Sequence, residues 1–384
     1  LGIVISTTPA ATCAALRPIE KISVLPLYRR SCSPACVPLG SATRSVGVLS
    51  AVMRSLLLNG MDVARFGEWS TLRYTNAKVR EAYSRRFSIR FPNEELPAGR
   101  PLKTSPLYDR LKASGAVFGS KLGWERPNWF AKPGAEGHDI YSMGRQNWFE
   151  NQKAEHLAVR NGVGFFDMTS FGKIRIEGRD ACAFMNRICS AEMDVGTGKI
   201  VYTMFLNEKG GIEADLTVTR LSETAYLAVV PGATLQRNLA WMRSQLGDDF
   251  AVITDMTAAE SVLCIMGPKA RDLMQRVSPN DFSNAAHPFG TAREIEIGMG
   301  IARAQRVTYV GELGWEIYPS ADQAAHVFET LAEAGAGLGL KLCGLHALDS
   351  CRIEKAYRHW GHDITDEDHV LEAGLGFTVS SKKP

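Results

Sequence analysis

The stretch richest in chemistry is NEKGGIEADLTV, residues 207 to 218. From Ile212 onward, apolar or small residues (Ile212, Ala214, Leu216, Val218) alternate with Glu213, Asp215, Thr217 and Thr219, the period of a strand with one dry face. Two carboxylates lie on the polar face, and a carboxylate there can hold a cation or take a proton. The preceding run IVYTMFL, 200 to 206, sets Ile200, Tyr202, Met204 and Leu206 on one face, and a turn around Asn207 to Gly211 folds it back. With a two-residue loop Tyr202 sits opposite Asp215; with a longer loop it is a diagonal neighbour.

A tyrosine and a carboxylate recur later. Tyr309 precedes a turn at Gly311, and Glu316 lies between Trp315 and Ile317 on the other face of its strand. On pattern alone, the plainer reading is that Asp215 and Glu316 are solvated strand residues. GLHALDSCRIEKAY reads as a helix carrying His346, Asp349, Arg352 and Glu354. Asp349 and Arg352 form an i, i+3 pair worth about 0.2–0.5 kcal/mol if exposed, although an arginine there could also clamp a ligand carboxylate in a fork. Spacing favours the solvated pair. His359, His362 and Asp363 resemble a metal set only loosely, so no metal is expected. GAGLG, 335 to 339, follows a helix rather than a strand, which suits a helix C-cap and not a dinucleotide loop.

The elements that must position these residues show an internal repeat. IRIEGRDACAFMNRI (174 to 188) and LCIMGPKARDLMQRV (263 to 277) are each a strand, a glycine and a helix. Three strand-like runs and a helix follow each: IVYTMFL, IEADLTVTR and AYLAVV before a helix from about Ala233 to Leu246, then REIEIG, IARAQRVTYV and LGWEIYP before a helix capped by Ser320. Two β-α-β-β-β-α units predict an α+β fold of antiparallel sheets with packed helices, their dry faces sharing one core. Upstream, residues 74 to 90 read as a helix running into an extended segment, and LYDRLKASG as a short helix closed by Gly115. GWERPNWFAKPGAEG, 123 to 137, reads as a loop too aromatic to be a plain linker, so it should pack on or line something.

Bulk properties remove several function classes. A chain of 384 residues exceeds what one core usually serves. Its net charge of +3 and lack of a compact Lys/Arg run argue against a nucleic-acid partner, and no apolar stretch is long enough for a membrane span. The eight cysteines show no CxxC pair, so reduced thiols in a reducing, cytoplasmic-type compartment are expected. Residues 1–60, with Glu20 as their one acid, read as a disordered or non-native leader, a targeting peptide being the next alternative.

Taken together, the motifs resemble a known family. PAGRPLKTSPLYDRL, GWERPNWFA, GRQNWFE and EHLAVRNGVGFFDMTSFGK resemble the dimethylglycine and sarcosine dehydrogenases after their FAD domain. VYTMFLNEKGGIEADLTV, YVGELGWEIYPS and CGLHALDSCRIEKAYRHWGHDI resemble the folate-binding domain which that family shares with the aminomethyltransferase (T-protein) of the glycine cleavage system. The resemblance implies a central segment of FAD-dependent oxidoreductase type over 61–137 and the aminomethyltransferase-like domain over 138–384. It further implies that a flavin-bearing domain or subunit oxidises a small N-methyl amine and that tetrahydrofolate captures the one-carbon product as 5,10-methylenetetrahydrofolate. Carried over by motif, Asp215 stands beside the folate amines, Glu316 on the pterin, Tyr202 and Tyr309 along the folate, and Arg352 near it. No FAD fingerprint precedes residue 75, so FAD is expected only through a missing N-terminal domain, and the relatives' C-terminal β-rich domain is likewise expected to be absent. A eukaryotic source would imply the mitochondrial matrix. The alternative is a folate-binding module without catalysis, or an inactive fragment.

Overall fold

The computed structural model describes residues 70–383, so the reading of residues 1–60 lies outside the described part. Helix α1 (Leu72–Ser84) begins at Thr71, whose hydroxyl accepts the Tyr74 N–H. Helix α2 (Tyr108–Ala113) closes at Gly115, φ +92°, as LYDRLKASG indicates. The stretch expected as an aromatic loop is in part a strand: β1 (Ala116–Lys121) and β2 (Trp124–Phe130) form an antiparallel hairpin. Pro127 is tolerated because each strand of a two-stranded ladder keeps one unpaired side. The expected packing is present, since Trp129 is buried and its Nε1 donates to Asp139 at 2.7 Å.

Helix α3 (Phe149–Asn161) and strand β3 (Gly164–Asp167) lead into the repeat. The first copy is β4 (Gly172–Glu177), α4 (Ala181–Ile188), β5 (Ile200–Leu206), β6 (Ile212–Ser222), β7 (Ala225–Val230) and α5 (Leu235–Gln245). After β8 (Val252–Asp255) comes the second: β9 (Leu263–Met266), α6 (Ala270–Val277), β10 (Ala292–Ile297), β11 (Gly300–Gln305), β12 (Gly314–Pro319) and α7 (Ala324–Ala336). Strand β13 (Lys341–Leu342) and helix α8 (Leu345–Glu354) follow. The sheets run β5-β6-β7-β4-β8 and β10-β11-β12-β9-β3-β13, so the copies share one strand order. The strand preceding each copy joins the sheet of the other: β3 pairs with β9, and β8 with β4. Among the described residues, no helix is long and apolar enough to cross a membrane.

The expectation of one shared core is corrected. Ala214, Leu216 and Val218 pack with α4 and α5 in one cluster, whereas Leu263, Ile265, Trp315 and Ile317 pack with α6 and α7 in another. The opposite faces meet in a third cluster containing Phe166, Leu227, Val229, Cys264 and Tyr318. Alternation alone cannot assign which dry face meets which, because both sheets are covered on two sides. The cluster under α6 and α7 also takes in Leu107 and Leu111, at and within α2. Two smaller expectations also change. The strand read over IARAQRVTYV stops at Gln305, after which the chain loops, and α7 is capped at Gln323, with Ser320 opening a preceding turn. GAGLG is a helix terminus as read, with Gly337 as C-cap and Gly339 at φ +75°.

Candidate functional site

The faces of the two sheets that meet in the third cluster also carry the candidate residues. On β6, Asp215 points away from the cluster that holds Ala214 and Leu216. Met204 is its partner on β5, while Tyr202 pairs with Thr217. Tyr202 is therefore the diagonal neighbour, and its hydroxyl donates to Asp215 Oδ2 at 3.3 Å. The longer loop expected for that case is the Asn207 turn, where the Asn207 amide oxygen accepts the N–H groups of Lys209 and Gly211. Asp215 Oδ1 is shielded from solvent and has no hydrogen-bond partner. Burial pushes the Asp215 carboxyl up to about 6, against the Tyr202 hydrogen bond. Burial and the Asp215 charge both raise the Tyr202 phenol, so it stays protonated as a donor.

From the second sheet, Glu316 enters the same space. It is 7 % exposed, lies across from Cys264 and Gln305, and accepts the Tyr318 hydroxyl at 2.6 Å. Burial raises its carboxyl above the ordinary range. Glu316 and Tyr309 line a narrow cleft with Phe166, Met168, Phe171 and Leu348. Tyr309 belongs to the loop after β11, where its hydroxyl donates to the Arg358 carbonyl at 2.8 Å. Burial and then the Asp215 charge raise its phenol, so it stays protonated as a donor. Sequence reading missed Gln305. This residue is fully buried opposite Glu316, and neither its amide nitrogen nor its oxygen has a partner. The signal was available, since alternation in ARAQ puts Gln305 on the face opposite Ala302 and Ala304.

Arg352 is neither solvated nor free. At 4 % exposure it donates from Nε to Asp349 at 2.7 Å and from Nη1 to the Tyr357 carbonyl and to Asp363. It thus holds the turn after α8 that supplies Arg358 to Tyr309. The His359 and His362 rings lie tilted with centroids 4.2 Å apart, and Asp363 also accepts the His359 N–H. The tail packs Ile364, Val370 and Leu375 on Met204 and Ile212, and Phe377 stands 6.3 Å from the Tyr202 ring.

Residues 107–383 match the family described as GCVT N-terminal domain. The chain belongs to the GCVT family. Residues 55–105 match the FAD dependent oxidoreductase central domain. The chain is 44% identical to 4-methylaminobutanoate oxidase (formaldehyde-forming) of Paenarthrobacter nicotinovorans, across 85% of this chain and 40% of that protein. It is 33% identical to the mitochondrial sarcosine dehydrogenase of Homo sapiens, with the same two coverages. Among solved structures, the glycine cleavage system aminomethyltransferase T from Bartonella henselae is similar, with a TM-score of 0.62, 25% identity, and coverage of 73% of this chain and 70% of that one. These matches bear out the resemblance to the dimethylglycine and sarcosine dehydrogenases and the T-protein, and the α+β class. The GCVT chain described here spans about two fifths of the length of the curated relatives it matches.

Proposed function

We propose that the space between the two sheets binds tetrahydrofolate, which supplies the amine nitrogens that capture a one-carbon unit as 5,10-methylenetetrahydrofolate. The residues fit such a ligand. A flat heterocycle rich in donors needs aromatic walls and buried acceptors, and the site offers Tyr202, Tyr309, Phe171 and Glu316. The observation that carries the reading is the Asp215 Oδ1 atom, a shielded carboxylate oxygen without a donor. An amine N–H would satisfy it. With its carboxyl pushed up to about 6, Asp215 is ionised near neutral pH yet basic enough to take the proton an amine releases. Tyr202 holds the carboxylate in place, and Glu316, fixed by Tyr318, accepts from the heterocycle edge. Tyr309 is the wall on the other side, and Arg352 acts through the turn it braces. Oxidation of the small N-methyl amine is assigned to a flavin-bearing domain or subunit, a reading supported by the match of residues 55–105.

The test is Asp215→Asn in the full chain, which keeps size and removes charge. 5-Formyltetrahydrofolate should bind within a few-fold of wild type. Formation of 5,10-methylenetetrahydrofolate from an aminomethyl donor, measured above the uncatalysed rate, should fall by about 10²–10⁴. Near wild-type transfer would remove Asp215 as the proton acceptor. Tight binding with no transfer by wild type would favour the non-catalytic module instead.

A further inference from the structure

A second cluster of charge lies next to this site, across Arg352. The β1–β2 hairpin turns through Leu122 (φ +46°) and Gly123 (φ +85°), the two-residue turn with both residues left-handed. Cross-strand pairing sets Lys121 opposite Trp124 and Arg126 opposite Gly119, so both cations project from one face as diagonal neighbours. The N-terminus of α8 is pressed onto the same hairpin: a Cβ on Gly344 would run into the Asn128 backbone. His346, in the first turn of α8, stacks on Trp148 at 5.2 Å, and its Nε2 is shielded and without a partner. Arg126 Nε is likewise shielded and unpartnered.

The cluster lacks acceptors. Among the described residues, neither Lys121 nor Arg126 makes an ion pair or a side-chain hydrogen bond. The carboxylates around them are already engaged. Glu95 accepts the Ser120 N–H and faces Arg100 at 3.8 Å, Asp139 accepts from Trp129 and Tyr141, and Asp349 is bonded to Arg352. Glu155 caps Gly344 N–H at 2.9 Å and Phe130 N–H at 2.8 Å. Burial is the main cause that lowers the His346, His359 and His362 rings; the Lys121 and Arg352 charges add to it at His359 and His362, and at His346 the Asp139 charge opposes it more than Arg126 adds. Burial, then Arg126, lowers the Lys121 ammonium. Unpaired charges so placed are costly unless something anionic meets them.

We propose that Lys121, Arg126 and His346 form a subsite for a ligand carboxylate beside the inter-sheet cleft. A guanidinium fork and an ammonium at a diagonal spacing match the two oxygens of one carboxylate, and His346 Nε2–H can add a third donor. Arg352 links the Tyr309 loop to the His359 turn: its Nη1 donates to the Tyr357 carbonyl and to Asp363, Asp363 accepts the His359 N–H, and the adjacent Arg358 carbonyl accepts the Tyr309 hydroxyl. Arg352, by contrast, is spent on Asp349 and Asp363 and cannot be the clamp. Two ligands carry the required group: the glutamyl tail of a folate and the carboxylate of an N-methyl amino acid. The inference rests on the proposed function only for the first.

Calorimetric titration of the full chain separates them, with three probes: 5-formyltetrahydrofolate, tail-less 6-methyltetrahydropterin and N-methylglycine. If the subsite holds the folate tail, Lys121→Met/Arg126→Met binds 5-formyltetrahydrofolate about ten- to hundredfold more weakly and the tail-less pterin unchanged. If it holds the amino-acid carboxylate, N-methylglycine binding is lost by the same factor while both pterins are unaffected. Lys121→Arg/Arg126→Lys, which keeps both charges, should restore most of the affinity and guards against misfolding. Unchanged binding of both carboxylate probes by the Met variant would overturn the subsite. Failure of wild type to bind the tail-less pterin would instead count against the folate reading.

Discussion

The two copies of the β-α-β-β-β-α unit share a strand order but not a chemistry. In the first, the inward carboxylate is Asp215 on β6, the second of the three strands that follow the helix. In the second it is Glu316 on β12, the third of those strands, whose counterpart β7 presents Leu227 and Val229 inward. The recurrence of tyrosine and carboxylate in the sequence is therefore not a repeat of one site. Duplication supplied two similar surfaces, and the contacts on each then diverged. Asp215 has one oxygen held loosely at 3.3 Å and one unbonded, whereas Glu316 is buried and held by Tyr318 at 2.6 Å. A loosely held carboxylate suits a changing proton, and a fixed one suits recognition.

The largest expected contrast is in the cores. Trp315 is fully buried, donates to His287 Nδ1 at 3.3 Å and packs edge-on to Phe282. Trp315→Ala should cost about 3–5 kcal/mol in urea unfolding. Trp241 in the first copy stacks on Phe205 at 4.6 Å but is only partly buried, so Trp241→Ala should cost about 1–2 kcal/mol. Equal losses would mean that the halves are not differently anchored. Next in size is Glu316→Ala, which should weaken folate binding by about 1.5–3 kcal/mol and leave transfer at saturation nearly unchanged. An unchanged affinity would refute its assignment. The reverse pattern belongs to Asp215→Asn, and finding one pattern at both positions would erase the distinction between them.

Where the sequence was legible, the period was strong and local. The repeat and the assignment of Tyr202, Asp215 and Glu316 to particular strand faces follow from alternation over five or more residues, whereas the loop length that sets Tyr202 diagonal to Asp215 and the burial of Glu316 do not. What stayed illegible depended on distant partners. The exchange of β3 and β8 between sheets leaves no local trace, because each four-residue strand would pair equally well at home. Trp124–Phe130 reads as loop because a proline interrupts it, and only the two-stranded context makes the proline harmless. Arg352 reads as exposed because its second acid, Asp363, lies beyond the helix end. The face of Gln305 was legible from alternation, but its lack of a partner, like that of the Lys121–Arg126 pair, cannot be seen until all partners are placed.

Tyr202→Phe sharpens the first-copy half of the comparison. The phenol hydrogen bond favours ionised Asp215, so its loss should move the acid limb of the transfer rate upward from about 6. A pH profile of transfer would show it, and an unmoved limb would separate Tyr202 from Asp215. Phe keeps the aromatic wall, so folate affinity should hold.

The smallest effect is on stability, and its sign is the informative part. The Asp215 carboxyl is raised from an ordinary 3.8 to about 6 in the folded chain. Below the lower value both states are protonated and the group contributes nothing. Between the two the unfolded chain ionises first, so stability falls as pH rises, and above about 6 the cost is constant. Asn carries no such cost. Asp215→Asn should therefore be as stable as wild type at acid pH and more stable by about 1–2 kcal/mol above pH 6, after discounting for partial exposure. Thermal or urea unfolding across pH 4–8 would resolve the difference. A substitution that stabilises the fold while abolishing transfer marks a carboxylate retained for chemistry; a loss of stability on the same substitution would make Asp215 a structural residue and leave the first copy without a proton acceptor.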